Sequence, residues 1–227
     1  MKKAASLALA VSLASGSMFA QAYQAGDLIL RLGATTVSPN DDSDNITLPT
    51  DPATVLRGVE VDDDTQLGII PAMMVTDHLG FELLLATPFE HDVTVKGAPL
   101  DAGSIKHLPP TLSLQWYPRG NSSGWQPYIG VGLNYTFIYD EDASSDLKNA
   151  LGELLGAEKV DLSLQDSFGL SGQVGVDIPL NENWALNAGV WYIDIDTEAR
   201  IKTDVGSVKF DVDIDPWVYN FGIAYKF

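Results

Sequence analysis

Cysteine is absent from all 227 positions, so neither disulfides nor thiolate chemistry contributes to fold or function. Histidine is nearly as scarce, with His78, His91 and His107 the full set. The GxSxG pattern of a serine-hydrolase elbow is missing, and so is the HExxH of a zinc-protease helix. His91 and Asp92 could be combined with a serine into a lipase-like set. However, His91 and His107 flank an expected outer loop and read as solvated loop residues, with His78 in a short turn. Basic side chains are also few, 13 against 31 acidic ones for a formal net charge of −18, a balance that repels nucleic-acid phosphates. The acidic runs NDDSDN, VDDDT and DEDASSD lack the glycine at the sixth position and the glutamate at the twelfth that a calcium loop needs. They read as solvated loop surface, with divalent-cation bridging to lipopolysaccharide the one binding role they suggest. No catalytic residue, metal-ligand set or cofactor is expected.

A long apolar run occurs only once. Lys2 and Lys3 precede an apolar stretch over 4–19, and Ala20-Gln21-Ala22 has the small-x-small form of a secretory cleavage site. Ser6, Ser12, Ser15 and Ser17 interrupt the stretch, which falls short of the roughly twenty apolar residues of a spanning helix. It reads as a signal peptide over 1–22, leaving one mature domain over 23–227. Nothing downstream could cross a bilayer as a helix, so a membrane protein made from this chain has to cross with strands.

Strand patterning is abundant. In WVYNFGIAYKF (217–227), Trp217, Tyr219, Phe221, Ile223, Tyr225 and Phe227 share one face of a strand, and Val218, Asn220, Gly222, Ala224 and Lys226 the other. The greasy face is aromatic at both ends and aliphatic between, the order of a strand crossing a bilayer between two interfacial girdles. Seven more segments alternate likewise, over 28–35, 66–75, 79–86, 111–117, 129–139, 167–178 and 184–192. Short connections at 76–78, 118–124 and 179–183 alternate with long ones at 38–58, 90–107 and 140–160, with 203–207 the exception in length. This is the layout of an all-β, eight-stranded antiparallel outer-membrane barrel with short periplasmic turns, longer extracellular loops and both termini in the periplasm. A soluble barrel would turn its apolar face inward. Here the face opposite the aromatics carries Gly, Ser, Asn and Gln, too small and polar for a dry core.

The pattern inverts at the outer ends of strands seven and eight. The lipid-facing phase of strand seven continues into Asp194 and Asp196, while Trp191, Ile193 and Ile195 take the inner face. In strand eight Asp211, Asp213 and Asp215 point outward, with Phe210, Val212 and Ile214 inward. Carboxylates are costly in hydrocarbon, so both strands have left the membrane there, polar outside and apolar within. Those six apolar residues are the expected lining of a hydrophobic pocket; a register-flipping bulge at Asp215-Pro216 would instead leave them outside. Leu162 and Leu164 of strand six keep the lipid-facing phase. Lower down, Arg31, Glu82, Gln115 and Lys226 are expected in a polar plug that closes the narrow lumen. Pro88, where strand three meets the interface, marks either a break in the wall or an ordinary strand end. Over 144–160, Leu147, Ala150, Leu151, Leu154 and Leu155 follow helical spacing, for a short amphipathic helix that caps the pocket or packs on the rim.

The segments AGDLILRLG, DDDTQLG, ATPFEHDV, IKHLPPTLSLQWYP, QPYIGVGLNYT, WYIDIDTEARI and DVDIDPWVYNFGIAYKF resemble the OmpW family of outer-membrane proteins, with its OprG and AlkL branches, along essentially the whole chain. The resemblance implies passive uptake of small hydrophobic molecules through an outer apolar channel, with lateral release into the membrane and Pro88 at the side opening. It leaves loops 38–57 and 140–159 the least transferable parts. The expected partners are outer-membrane lipid, lipopolysaccharide and a small hydrophobic substrate, and the expected state is a monomer. The competing reading is a structural or surface-interaction barrel whose loops bind partners and whose lumen carries nothing.

Overall fold

The computed structural model describes residues 22–40, 42–48, 54–98 and 100–227; apart from Ala22, the proposed signal peptide lies outside them. The first strands are β1 (Leu28–Ser38), β2 (Asp42–Ser43), β3 (Ile46–Leu48), β4 (Thr54–Leu56), β5 (Val59–Val61), β6 (Asp64–Met74) and β7 (Leu79–Ala86). Next come β8 (Phe89–Val95), β9 (Asp101–Leu108), β10 (Thr111–Trp116), β11 (Gln126–Ala143) and the helix α1 (Ser145–Leu155). The chain ends with β12 (Val160–Leu164), β13 (Ser167–Pro179), β14 (Trp184–Ile193), β15 (Asp196–Thr203), β16 (Gly206–Asp213) and β17 (Trp217–Lys226). Eight of these close a barrel in the order β1-β6-β7-β10-β11-β13-β14-β17, every neighbour antiparallel and β17 returning to β1.

The alternation places side chains as the sequence predicts, and the result is inverted relative to a soluble protein. Val131, Phe168 and Phe221 are 69%, 67% and 68% exposed, whereas the lumen-facing Arg31, Gln115 and Asn134 are fully buried. Only a hydrocarbon solvent makes that distribution favourable. Aromatic pairs bound the greasy band: Trp184–Tyr225 and Tyr225–Phe227 at one end, Tyr135–Phe137 and Tyr192–Trp217 at the other. At the second end the phenols look upward, with Tyr192 donating to Asp215 and Tyr135 to Asp166 at 3.0 and 3.1 Å. The first end holds the short turns and both described chain ends, where the Phe227 amide donates to the Leu28 carbonyl at 3.0 Å.

The connections read as long loops prove largely to be more wall. The segment 90–107 is the hairpin β8–β9, paired to β5 on one side and to the upper half of β11 on the other. The exceptional 203–207 connection is the tip of the hairpin β15–β16, flanked by β12 and β2. The barrel therefore continues well beyond the upper aromatic girdle. The helix forms as expected, capped by the Ser144 hydroxyl, which accepts the Leu147 amide, and ended by Gly156 in the left-handed conformation.

Where the barrel closes, glycines pair across strands. Gly33 stands opposite Gly68 on β6 and opposite Gly222 on β17. A Cβ on Gly222 would run into the Leu32 carbonyl oxygen, and one on Gly33 would lie 2.6 Å from the Phe221 carbonyl oxygen. The closing seam is that tight.

Candidate functional site

Strands seven and eight keep one inward phase from the short turns to the far tip. The pairing Tyr192–Trp217 continues as Asp196–Asp213 without change of register, so the proline at 216 introduces no flip. Along that phase Asn187, Asn220 and Lys226 give way to Trp191, Ile193, Ile195, Phe210, Val212 and Ile214, all buried in one apolar cluster. Strand six corrects the expectation. Leu162 and Leu164 do not keep the lipid-facing phase, because one residue more is spent on strand six than on its neighbour between Ser171–Ile193 and Leu164–Ala199. This bulge, at Gln165 and Asp166, turns Leu162 and Leu164 inward, held by the Gln165 carbonyl accepting the Thr197 hydroxyl at 2.7 Å. A second bulge, with Asp140 at φ 57°, does the same for β11 and buries Ala143.

These inward turns enclose a cavity of about 50 Å³ whose lining is entirely Ile, Leu, Val, Ala and Phe. Phe210, Val212 and Ile214 line it directly; Trp191, Ile193 and Ile195 belong to the same cluster beneath. Leu147 and Leu151 of α1 supply part of the enclosure, together with Ile46 and Leu48 of β3, so the helix caps the cavity and is more than a rim decoration.

The polar plug is centred on Arg31. Its guanidinium reaches Glu82 and Asp177, both at 2.7 Å, donates to the Tyr117 hydroxyl at 2.8 Å and lies 4.8 Å over the Tyr128 ring. Gln115 donates to Glu82 at 2.7 Å and accepts from Tyr117 at 2.7 Å. Tyr23 and Asn187 both donate to Asp177, at 2.9 and 2.8 Å, and Asn220 extends the network to Asn187 at 2.8 Å. Lys226 sits lower, near the turn end, 3.6 Å from Asp27. Asp177, Tyr117 and Tyr128 were not anticipated. The inward phase of strand six extrapolates to Asp177, which lies just before Ile178-Pro179 at the strand's end.

Pro88 lies at a break between two ladders. The β7–β10 ladder stops at Leu84–Thr111 and pairing resumes at Phe89–His107, leaving 85–88 opposite 108–110. Pro88, Pro109 and Pro110 have no N–H to give a ladder. On the other flank the ladder runs on through the Thr87 amide to the Leu67 carbonyl at 3.0 Å, and side chains add to it: Thr87 and Asp64 accept the amides of Leu67 and Glu90 at 3.2 and 2.9 Å.

His91 and His107 are not solvated. Both are 2% exposed on the inner face of β8 and β9, their rings 4.8 Å apart and their Nε2 atoms 3.2 Å apart, with Phe89 against both. Burial, reinforced by neighbouring His91, lowers the pKa of His107 to about 3, with Asp64 opposing. The folded ring thus stays neutral where the unfolded one charges. Its stabilising contribution is complete above pH 6.5 and is lost progressively as the pH falls from 6.5 toward about 3. Amide exchange in β8 and β9 should accordingly accelerate when the pH is lowered from neutral to about 4, after correction for intrinsic rates, and less so in His107→Phe. Equal responses in the two proteins would remove the histidine from the account.

A closed barrel with an aromatic-bounded lipid face and a sealed polar lumen is a transmembrane β-barrel of the bacterial outer membrane. The OmpW family profile matches residues 24–227. Outer membrane protein W of Escherichia coli strain K12 is 43% identical over 228 residues, all of both chains. Outer membrane protein AlkL of Ectopseudomonas oleovorans is 23% identical over 172 residues, 74% of this chain and 69% of that one. The crystal structure of the outer membrane protein OprG from Pseudomonas aeruginosa superposes with a TM-score of 0.79 at 46% identity, over 91% of this chain and 98% of that one. The chain belongs to the OmpW family.

Proposed function

We propose that this chain is a monomeric, non-enzymatic conduit that takes small apolar molecules through the outer leaflet and releases them sideways into the membrane. Its termini would lie in the periplasm and lipopolysaccharide would surround its acidic outer wall. The observation that carries the reading is the apolar cavity inside a wall whose outer surface bears Asp196, Asp211 and Asp213. An enclosed apolar cavity of this kind suits an apolar solute. The free volume of about 50 Å³ is smaller than most organic molecules, so entry requires α1 and the β3–β4 hairpin to yield. The Arg31 network blocks the axis below, and the break between segments 85–88 and 108–110, which pair with their other neighbours but not with each other, offers a lateral way out.

Ile195→Asp and Phe210→Asp each place a carboxylate in that interior. In vesicles whose outer leaflet is lipopolysaccharide, uptake of a hydrophobic dye through either variant should fall about tenfold or more, since an unpaired buried charge repels an apolar solute and admits water. Folding of the variants is checked by circular dichroism. Uptake equal to wild type in a folded variant sinks the conduit reading.

A further inference from the structure

Two consecutive lumen-facing rows lie where the Arg31 network gives way to the apolar cluster. In the first, Glu82 on β7 pairs with Ser113 on β10, Ser113 with Gly132 on β11, and Gly132 with Ser171 on β13. In the second, Gln115, Gly130, Gln173 and Trp191 follow one another on β10, β11, β13 and β14. Five side-chain atoms in these rows are buried without a hydrogen-bond partner: Glu82 Oε1, Ser113 Oγ, Ser171 Oγ, Gln173 Nε2 and Trp191 Nε1. Buried polar groups are rarely left so, and here they are adjacent.

The glycines let these side chains converge, so a guest enters only as the serine and glutamine side chains turn aside. A Cβ on Gly132 would lie 2.5 Å from the Ser113 hydroxyl and 2.6 Å from that of Ser171, so both hydroxyls face the space that this glycine leaves. A Cβ on Gly130 would lie 2.8 Å from Gln173 Cγ. The Gln173 amide interacts with the Glu82 carboxylate, although Glu82 Oε1 and Gln173 Nε2 make no hydrogen bond of good geometry. Trp191 joins the niche to what lies above, since its ring belongs to the apolar cluster with Ile193 and Phe210 while its N–H is one of the five.

We propose that this niche binds the neutral polar head of an amphiphile, a hydroxyl or primary amide, whose apolar tail extends into the cavity above. The chemistry selects that head. Trp191 and Gln173 offer N–H donors and Glu82 offers a bare acceptor, so a group that both accepts and donates satisfies all three. A carboxylate is disfavoured because Arg31 already faces two carboxylates, Glu82 and Asp177, and the local charge is negative. A pure hydrocarbon leaves the five groups as they are.

The inference rests on the cavity being an entry path, and the test reads the two separately. The full mature chain in lipid nanodiscs is titrated with 1-octanol, its methyl ether and octanoate while two sets of nuclear magnetic resonance signals are followed. These are the methyl groups of Val212 and Ile214 for the cavity and the indole N–H of Trp191 for the niche, the latter assigned with Trp191→Phe. The expected result is that octanol and ether, each with an acceptor oxygen, both move the methyls and shift the indole N–H downfield, and that octanol, which alone can also donate to Glu82, binds about tenfold more tightly than the ether. Octanoate should bind more weakly than octanol. Ser113→Ala combined with Ser171→Ala should bring the octanol-to-ether ratio toward one without changing ether binding. Methyl shifts with an unmoved indole, or an indole already hydrogen-bonded to water and indifferent to octanol, overturn the niche and leave the conduit standing. An absence of shifts at both positions overturns both.

Discussion

Arg31→Met is expected to destabilise the barrel by about 3–5 kcal/mol, the range for removing one partner from a fully buried ionic network. The loss is not that of a favourable pair in water. Glu82 and Asp177, both completely buried, would be left facing each other's field with no cation between them, and the Tyr117 hydroxyl would lose a charged donor. Methionine fills much of the arginine's volume, which keeps the cavity contribution small. Urea unfolding in lipid vesicles, followed by tryptophan fluorescence, gives the number. Adding Glu82→Gln and Asp177→Asn to the same chain should recover most of the loss, because it removes the uncompensated charge. A single-variant cost under about 1 kcal/mol would mean that water reaches the network and screens it.

Gly222→Val is the second large effect. A side chain there meets the Leu32 carbonyl oxygen and the Cα of Gly33, which is backbone on the partner strand and cannot rotate away. The affected pairing is β1 with β17, the first and last strands, whose union closes the barrel across nearly the whole chain. Loop-closure entropy makes such a contact late and slow to form, so a seam held apart by a Cβ should trap an open sheet. Expected is a severe fall in the yield of closed barrel on insertion into vesicles, read by energy transfer between labels on β1 and β17. Gly172 serves as the control. It is exposed on the lipid face with nothing within 4 Å of its would-be Cβ, so Gly172→Val should insert normally.

The parts of this fold that could be read from the chain are those where one physical rule acts alone. Lipid outside and a narrow lumen inside force strict alternation, and the eight barrel strands follow it. The inversion at Asp194 and Asp211 was legible for the same reason, since the outer solvent changes from hydrocarbon to water while the phase runs on. The β8–β9 hairpin was missed because its alternation has an aqueous exterior: Glu90, Asp92 and Thr94 point out while Phe89, His91 and Val93 point in. By the criterion of a greasy outer face it looks like a loop, and its two histidines therefore look wet. Leu162 and Leu164 were misplaced because a bulge at Gln165 and Asp166 turns on backbone geometry, with no cue in hydrophobic spacing. The partnership of Arg31 with Asp177 joins residues 146 positions apart and follows only from the closed strand order.

The unbroken inward phase from Asn187 to Ile195 and from Ile214 to Asn220 separates two evolutionary tasks. The outward positions along these strands answer to lipid below the upper girdle and to water above it, and the intervening ones answer to the packing of the interior. A substitution at Phe210, Val212 or Ile195 can therefore reshape the interior without disturbing how the protein is anchored, since no lipid-facing side chain shares its parity. The shape of the interior can drift among descendants of such a chain one residue at a time while the scaffold stays insertable at every step.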